Sequence, residues 1–400
     1  MRILFVTHRF PYPSVNHAGG VHVFDLIKTL NKKGFEIDLL SFINEDEIIY
    51  NSQMRDYCKI IELIPAKKML SEYILDLPLF LIKPKFIVLS FQRRFVKKLL
   101  KLQIENIYDI IQFEWTAMCQ YVNYVKKGTV KILKEHDVSI IPAEREFNKQ
   151  TILLQKLRKW WTLKLLKQYE PEFCAKFDLV LTSSKKDSDF LKNINPQINT
   201  YVNPFFVKTI TEIPIPPPNK KILFLAHLGR LPNVEAVEWF YRIVFIDIHE
   251  MYPDSIFTIV GAEPHERVIK IANNENVQLF ANVENPEDFY KDARVFVSPL
   301  FTGGGIIKKN LDAMGMGCPL ITTSIGNEGI EGIDGRDVLI ADSKEEFINK
   351  LKLILNDDDY WKTISKNEKK FIETYYNFDI SISKLLEQYN SLINRQKVIN

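Results

Sequence analysis

The chain has 400 residues, 46% hydrophobic and 26% charged, with a formal net charge of +3. That length accommodates two domains with a core each, and that composition excludes disordered, collagen-like and disulfide-framework proteins. A charge so near neutrality gives no reason to expect a nucleic-acid partner, and Cys58, Cys119, Cys174 and Cys318 show neither paired nor metal-ligand spacing, so the setting expected is cytoplasmic and reducing, with no metal.

Met1-Arg2 leads straight into an apolar run at residues 3–6 that reads as a buried strand, so no signal peptide is expected. The following His8-Arg9-Phe10-Pro11-Tyr12-Pro13 reads as a loop, because proline continues neither a ladder nor a helix. Ala18-Gly19-Gly20 then opens an amphipathic helix ending at Gly34, and residues 35–40 read as a second strand. This is a βαβ unit with its glycines at the strand's carboxyl end, where open α/β sheets bind ligands. It lacks the G-x-G-x-x-G dinucleotide fingerprint.

Residues 67–101 carry nine Lys/Arg against Glu72 and Asp76, and residues 149–167 carry six basic residues, no acid and the pair Trp160-Trp161. Two readings stand for these stretches. Basic residues interleaved with aromatics and leucines suit an anionic membrane surface, at about 1 kcal/mol per nearby basic residue; alternatively both are amphipathic helices with solvated lysines. No apolar run reaches the ~18 residues of a transmembrane helix. Further strands are expected at residues 108–113, 130–133 and 177–183. In a parallel sheet His136, just past the 130–133 strand, stands over the same crevice as Gly19 and Gly20; a structural histidine is the alternative.

Residues 211–219 hold four prolines and read as an extended connector. Beyond it strands are expected at 221–225, 256–261, 277–280 and 293–300, and a helix at 234–244. The most informative stretch is 301–316, FTGGGIIKKNLDAMGM, which reads as a loop between strand and helix. Gly303, Gly304 and Gly305 let the backbone approach a ligand, and the helix that follows turns its free N–H groups and positive dipole end toward it. Lys308 and Lys309 fall in the first turn, where the dipole by itself favours acids, so they suit a phosphate. Asp312 lies one turn on and can accept hydrogen bonds from sugar hydroxyls. A flexible loop with solvated lysines is the bland alternative; the chemistry otherwise implied is a nucleotide diphosphate.

These motifs resemble those of the GT-B glycosyltransferases, in particular the retaining glycosyltransferase family 4 and its triple-glycine branch. The resemblance rests on Gly19-Gly20-x-His22-Val23, Glu135-His136-Asp137-Val138, Leu231-Pro232-Asn233-Val234 and Ile259-Val260-Gly261-Ala262. Its most specific part runs from Gly303-Gly304-Gly305 through Lys309-x-Leu311-Asp312-Ala313-Met314-x-Met316-Gly317-x-Pro319. It implies an α/β GT-B fold with two Rossmann-like domains facing across a cleft: an acceptor domain at 1–210, a linker at 211–219, a nucleotide-sugar donor domain at 220–372 and a helix at 373–400 crossing back onto the first. It also implies hexose transfer with retention, without metal or cofactor, from a nucleotide sugar to a glycan, glycolipid or protein-glycan acceptor in cell-surface glycoconjugate assembly. The enzyme would work in the cytoplasm, where the basic stretches allow a place on the inner face of the membrane.

By the same resemblance Lys309 meets the donor diphosphate, Asp312 the ribose, and the Gly303, Gly304 and Gly305 backbone the transferred sugar and phosphates. Gly20, beside Gly19, approaches the diphosphate from the first domain, and His136 contacts the sugar near the reacting carbon. Donor contacts are expected also at Asn233, Gly261 and Val283. Gly304 stands where many relatives carry a glutamate, Asp312 where they keep a second one, and Ile307 where the triple-glycine branch carries arginine, leaving Lys308 or Arg230 as substitutes. The alternative function is a non-catalytic GT-B homologue that binds nucleotide or acts as a scaffold.

Overall fold

The structure, a computed structural model, describes the chain except residues 14, 16, 17, 208, 211–214, 284, 303, 304 and 400 and the side chains of residues 18, 398 and 399. It comprises two units, Met1–Pro204 with Ile382–Asn400, and Phe205–Ser381. Residues 211–214 of the expected linker lie outside the described residues.

The first unit is built on seven parallel strands: β1 (Arg2–Thr7), β2 (Glu36–Ile43), β3 (Ile60–Pro65), β4 (Ile110–Glu114), β5 (Val130–Glu135), β6 (Leu179–Thr182) and β7 (Thr200–Val202), in the order β3-β2-β1-β4-β5-β6-β7. A strand covered on both faces by crossover helices carries a near-continuous apolar run, and Ile3, Leu4, Phe5 and Val6 of β1 are all fully buried. Sequence reading missed the edge strands β3 and β7, both mostly half-buried: Ile60, Ile61, Leu63 and Ile64 do carry a strand signal, whereas the three residues of β7 are too few to carry one. They exist because β2 and β6 offer them a ladder, Asp38 opposite Ile60 and Val180 opposite Thr200. Of the basic stretch at 67–101, the helix Arg93–Glu105 proves an ordinary amphipathic one: Phe95, Leu99 and Leu102 enter the core and Lys97 and Lys101 lie in solvent.

The second unit repeats the plan with β8 (Lys220–Leu225), β9 (Ser255–Gly261), β10 (Val277–Ala281), β11 (Val295–Ser298), β12 (Leu320–Thr322) and β13 (Leu339–Ile340), ordered β10-β9-β8-β11-β12-β13 and again parallel. The helix expected at 234–244 starts earlier, at Leu231, because Pro232 suits a first turn. It runs to Trp239, passes through a π-helical turn at Phe240–Phe245 and ends as Ile246–Met251. The last helix, Phe378–Ile399, begins in the second unit and belongs from Ile382 onward to the first. Among the described residues no helix is long and apolar enough to cross a membrane.

Candidate functional site

In the first unit β4 and β5 are paired with Glu114 opposite Lys134, so the residues that close these strands meet. His136 and Glu114 are joined by a 2.8 Å hydrogen bond between Nε2 and Oε2. The Trp115 ring stacks on the imidazole at 4.6 Å and 21°, and His22 meets it edge-on at 6.1 Å. To present its ring there Trp115 adopts φ = 71°, a conformation that costs a bulky residue on the order of 1 kcal/mol or more; its N–H is held by the Lys134 carbonyl at 3.0 Å.

Gly19 opens the helix Ala18–Lys32 against this pair: a Cβ on it would stand 3.1 Å from His136 Nδ1 and 3.1 Å from Trp115 Cζ2. The structure thus brings Gly19 and His136 together as the parallel-sheet argument expected, and Gly20 lies buried in the same first turn. Burial lowers the His136 pKa against the opposing pull of Glu114, so the imidazole is neutral near pH 7 and its Nε2–H donates to the carboxylate.

Sequence reading missed the groups behind His136. Gln112 donates to Glu114 Oε1 at 2.6 Å, and Tyr389 of the last helix donates to Gln112 Oε1. All four side chains are buried. The available signal was an acid closing the apolar strand at 108–113, two residues after a glutamine; nothing local pointed to a tyrosine at position 389. Nearby, His8, Asn44 and Ala66 follow the carboxyl ends of β1, β2 and β3 and line a cavity of about 370 Å³ with Arg9, Glu47 and Ser90. Burial and the Arg9 charge lower the His8 pKa to about 4, and its Nε2 lies 2.9 Å from Ser90 Oγ.

In the second unit the chain leaves β11, turns through Gly305 at φ = 73° and enters the helix Lys308–Gly315. Gly303 and Gly304 lie outside the described residues. The neighbouring loop presses on this turn, since a Cβ on Gly329 would stand 2.6 Å from the Gly305 carbonyl oxygen. Ile307 at the helix N-cap supplies no side-chain acceptor, so an anion could meet the first-turn N–H groups.

The two lysines separate in role. Lys309 is half-buried rather than solvated as the bland alternative had it: its ammonium lies 4.3 Å from the centre of the Phe224 ring on β8 and donates to Asn233 Oδ1 at 3.1 Å. Asn233 is fixed in turn by donating to the His227 carbonyl at 2.9 Å. Burial pushes the Lys309 pKa down to about 7. Lys308 instead donates to both Asp312 oxygens, at 2.7 and 2.8 Å, because a four-residue spacing stacks them on one helix face. Asp312, expected to be open to a ribose, is therefore engaged by Lys308.

Arg230 is exposed at the N-cap of the Leu231–Trp239 helix, and Val283 is half-buried just past β10. Gly261 has a packing reason to be glycine: a Cβ there would fall 1.7 Å from the Ala226 carbonyl oxygen. Lys309, the helix N-terminus and the glycine turn together form a cationic anchor suited to a diphosphate.

Residues 219–357 match the family model of group 1 glycosyl transferases. Over 403 aligned residues, 97% of this chain and 99% of the relative, the chain is 23% identical to an uncharacterised 44.6 kDa protein in the cps region of Klebsiella pneumoniae. It is 21% identical over 180 residues, 43% of this chain and 47% of the relative, to the capsular polysaccharide biosynthesis glycosyltransferase CapM of Staphylococcus aureus. In fold it is similar to sucrose-phosphate synthase from Thermosynechococcus elongatus, with a TM-score of 0.72 at 15% identity over 99% of this chain and 100% of the other. The chain is a glycosyltransferase of the GT-B fold, and its second unit carries the group 1 glycosyl transferase match.

Proposed function

We propose that the protein is a retaining, metal-independent glycosyltransferase of the family 4 type, moving a hexose from a nucleotide-diphosphate sugar to a glycan, glycolipid or protein-glycan acceptor. The observation that carries this reading is Lys309: a cation with no carboxylate among its described partners, held by Asn233 in the first turn of the helix that follows the glycines. Breaking a sugar–phosphate bond leaves negative charge on the diphosphate and positive charge on the sugar. Lys309 and the helix N–H groups stabilise the first, and the neutral His136 imidazole, backed by Glu114, suits the second. The acceptor oxygen bonds to the anomeric carbon as the carbon–phosphate oxygen bond breaks, and its proton passes to the departing diphosphate.

The cavity at the carboxyl ends of β1 to β3 supports an acceptor site in the first unit. The cps-region and CapM relatives support a role in capsular or other cell-surface polysaccharide assembly. The place proposed for that work is the cytoplasm, peripheral to the inner face of the membrane. The Lys308–Asp312 pair favours the second reading, a nucleotide-binding scaffold, because it occupies the group expected to hold the ribose.

The test is a melting screen against UDP, GDP, ADP, dTDP and CMP with their sugars, followed by release of free nucleoside diphosphate from the donor that binds. One nucleotide should raise the melting temperature by a few degrees at a hundredfold excess over Kd, where the gain is about 2.7 kcal/mol. Lys309→Ala should lower release by about a hundredfold or more, and a chelator should leave it unchanged. Nucleotide binding without any release would favour the scaffold; no shift in the folded protein would refute the donor site itself.

A further inference from the structure

We propose that an anionic lipid bilayer docks on the first unit through two apolar segments, residues 69–82 and 152–161. The proposal rests on the membrane-side setting given above and adds the surface and the lipid chemistry. Of the 33 large apolar side chains exposed among the described residues, fourteen lie in these two short segments, with Leu70 76% and Leu153 77% exposed. Solvent-exposed apolar residues scatter singly on most proteins, so such clusters mark a contact surface.

The helix Leu153–Cys174 is 22 residues long, yet its first buried residue is Leu163. Its leading half, with Leu154, Leu157, Trp160 and Trp161, packs into no core and forms the tip of a hairpin with the helix Ile140–Lys149. Across residues 140–167 seven basic residues face two acids, and both acids are neutralised, Glu144 by Lys167 at 2.7 Å and Glu146 by Lys159. Lys164 lies 5.4 Å from the centres of both tryptophan rings, leaving an amphipathic aromatic pair under a cation.

The first segment sorts its charges the same way. Both of its acids turn inward: Asp76 receives Lys68 at 2.5 Å and Arg93 at 3.2 Å, and Glu72 accepts the Arg93 N–H at 2.8 Å. Lys67 and Lys85 remain exposed. Both segments connect to the short helix Thr116–Tyr124, the first through the helix Lys85–Ser90 and the second through Leu153–Cys174 itself. Acids buried in the first segment and paired with lysines in the second, with bases and tryptophans turned out, complement an anionic interface, whereas a second basic copy of this surface would repel it.

Flotation of the full chain with vesicles of phosphatidylglycerol and phosphatidylcholine in equal parts tests this. The protein should float with them at low salt, and about tenfold less with phosphatidylcholine alone or at high salt. Leu153→Ser with Leu157→Ser, and separately Lys156→Glu with Arg158→Glu, should each cut the bound fraction about fivefold at unchanged melting temperature, since all four side chains are exposed. The nucleotide-induced melting shift should survive in both, so loss of docking and loss of the donor site are read separately. Failure of the wild type to float with anionic vesicles would overturn the proposal. So would undiminished flotation of both variants, or a dimer in light scattering that Leu153→Ser with Leu157→Ser dissolves.

Discussion

Lys309 shows how much chemistry one position can hold. With the folded pKa lowered from the ordinary 10.5 to about 7, the ammonium is largely neutral at pH 8 in the unliganded protein. A bound diphosphate favours the charged form, so binding at pH 8 should take up a proton, an uptake that vanishes below about pH 6. Titration calorimetry in two buffers of different ionisation enthalpy measures it; equal apparent enthalpies at pH 8 would contradict the assignment. For folding the sign is opposite: the unfolded chain binds the extra proton between the two pKa values, so this residue's contribution to stability rises with pH across that window. That a lysine falls in the first turn after three glycines is legible in the sequence. That its ammonium rests on Phe224 and Asn233 is not, since those side chains come from other elements. Gly261 offers a second measurement. The Cβ of Gly261→Ala would overlap the Ala226 carbonyl oxygen, so a loss of about 2 kcal/mol or more in denaturant unfolding is expected.

Among the elements, the central strands announce themselves because parallel strands buried on both faces carry near-continuous apolar runs, as in residues 3–6 of β1. Of the two edge strands, β3 carries a weaker signal in Ile60, Ile61, Leu63 and Ile64 around Glu62, and β7, three half-buried residues, carries none. The last helix lies between these cases: its apolar positions Ile382, Leu385 and Tyr389 are readable, and all three are fully buried. The relay from Tyr389 through Gln112 and Glu114 to His136 is not readable, because it joins residues far apart in the chain. Tyr389→Phe removes one buried hydrogen bond and should cost about 1 kcal/mol of stability. If the relay orients the imidazole, kcat should also fall several-fold while the nucleotide-induced melting shift stays the same. A stability loss with unchanged kcat would make Tyr389 purely structural.

Taken as a whole, the molecule closes its first unit with residues that come last in the chain. Removing residues 382–400 would strip Ile382, Leu385 and Tyr389 from that core, and each large buried side chain is worth about 2–5 kcal/mol. The truncated protein should therefore show a lowered melting transition for the first unit and aggregate on size exclusion, while the second unit keeps its response to nucleotide. An unchanged first transition would mean that the terminal helix adds little there. The sequence by itself determined the class of fold, the glycine-to-helix junction and the lysines within it, because strand apolarity, helix period and glycine placement are local properties of the chain. Only the tertiary structure decided that Asp312 is engaged by Lys308, that Lys309 is partly desolvated, that Glu114 stands behind His136 and that the apolar residues of 152–161 find no core. Each of these depends on which distant side chains and how much water surround a group, and neither is encoded in the spacing of its neighbours along the chain.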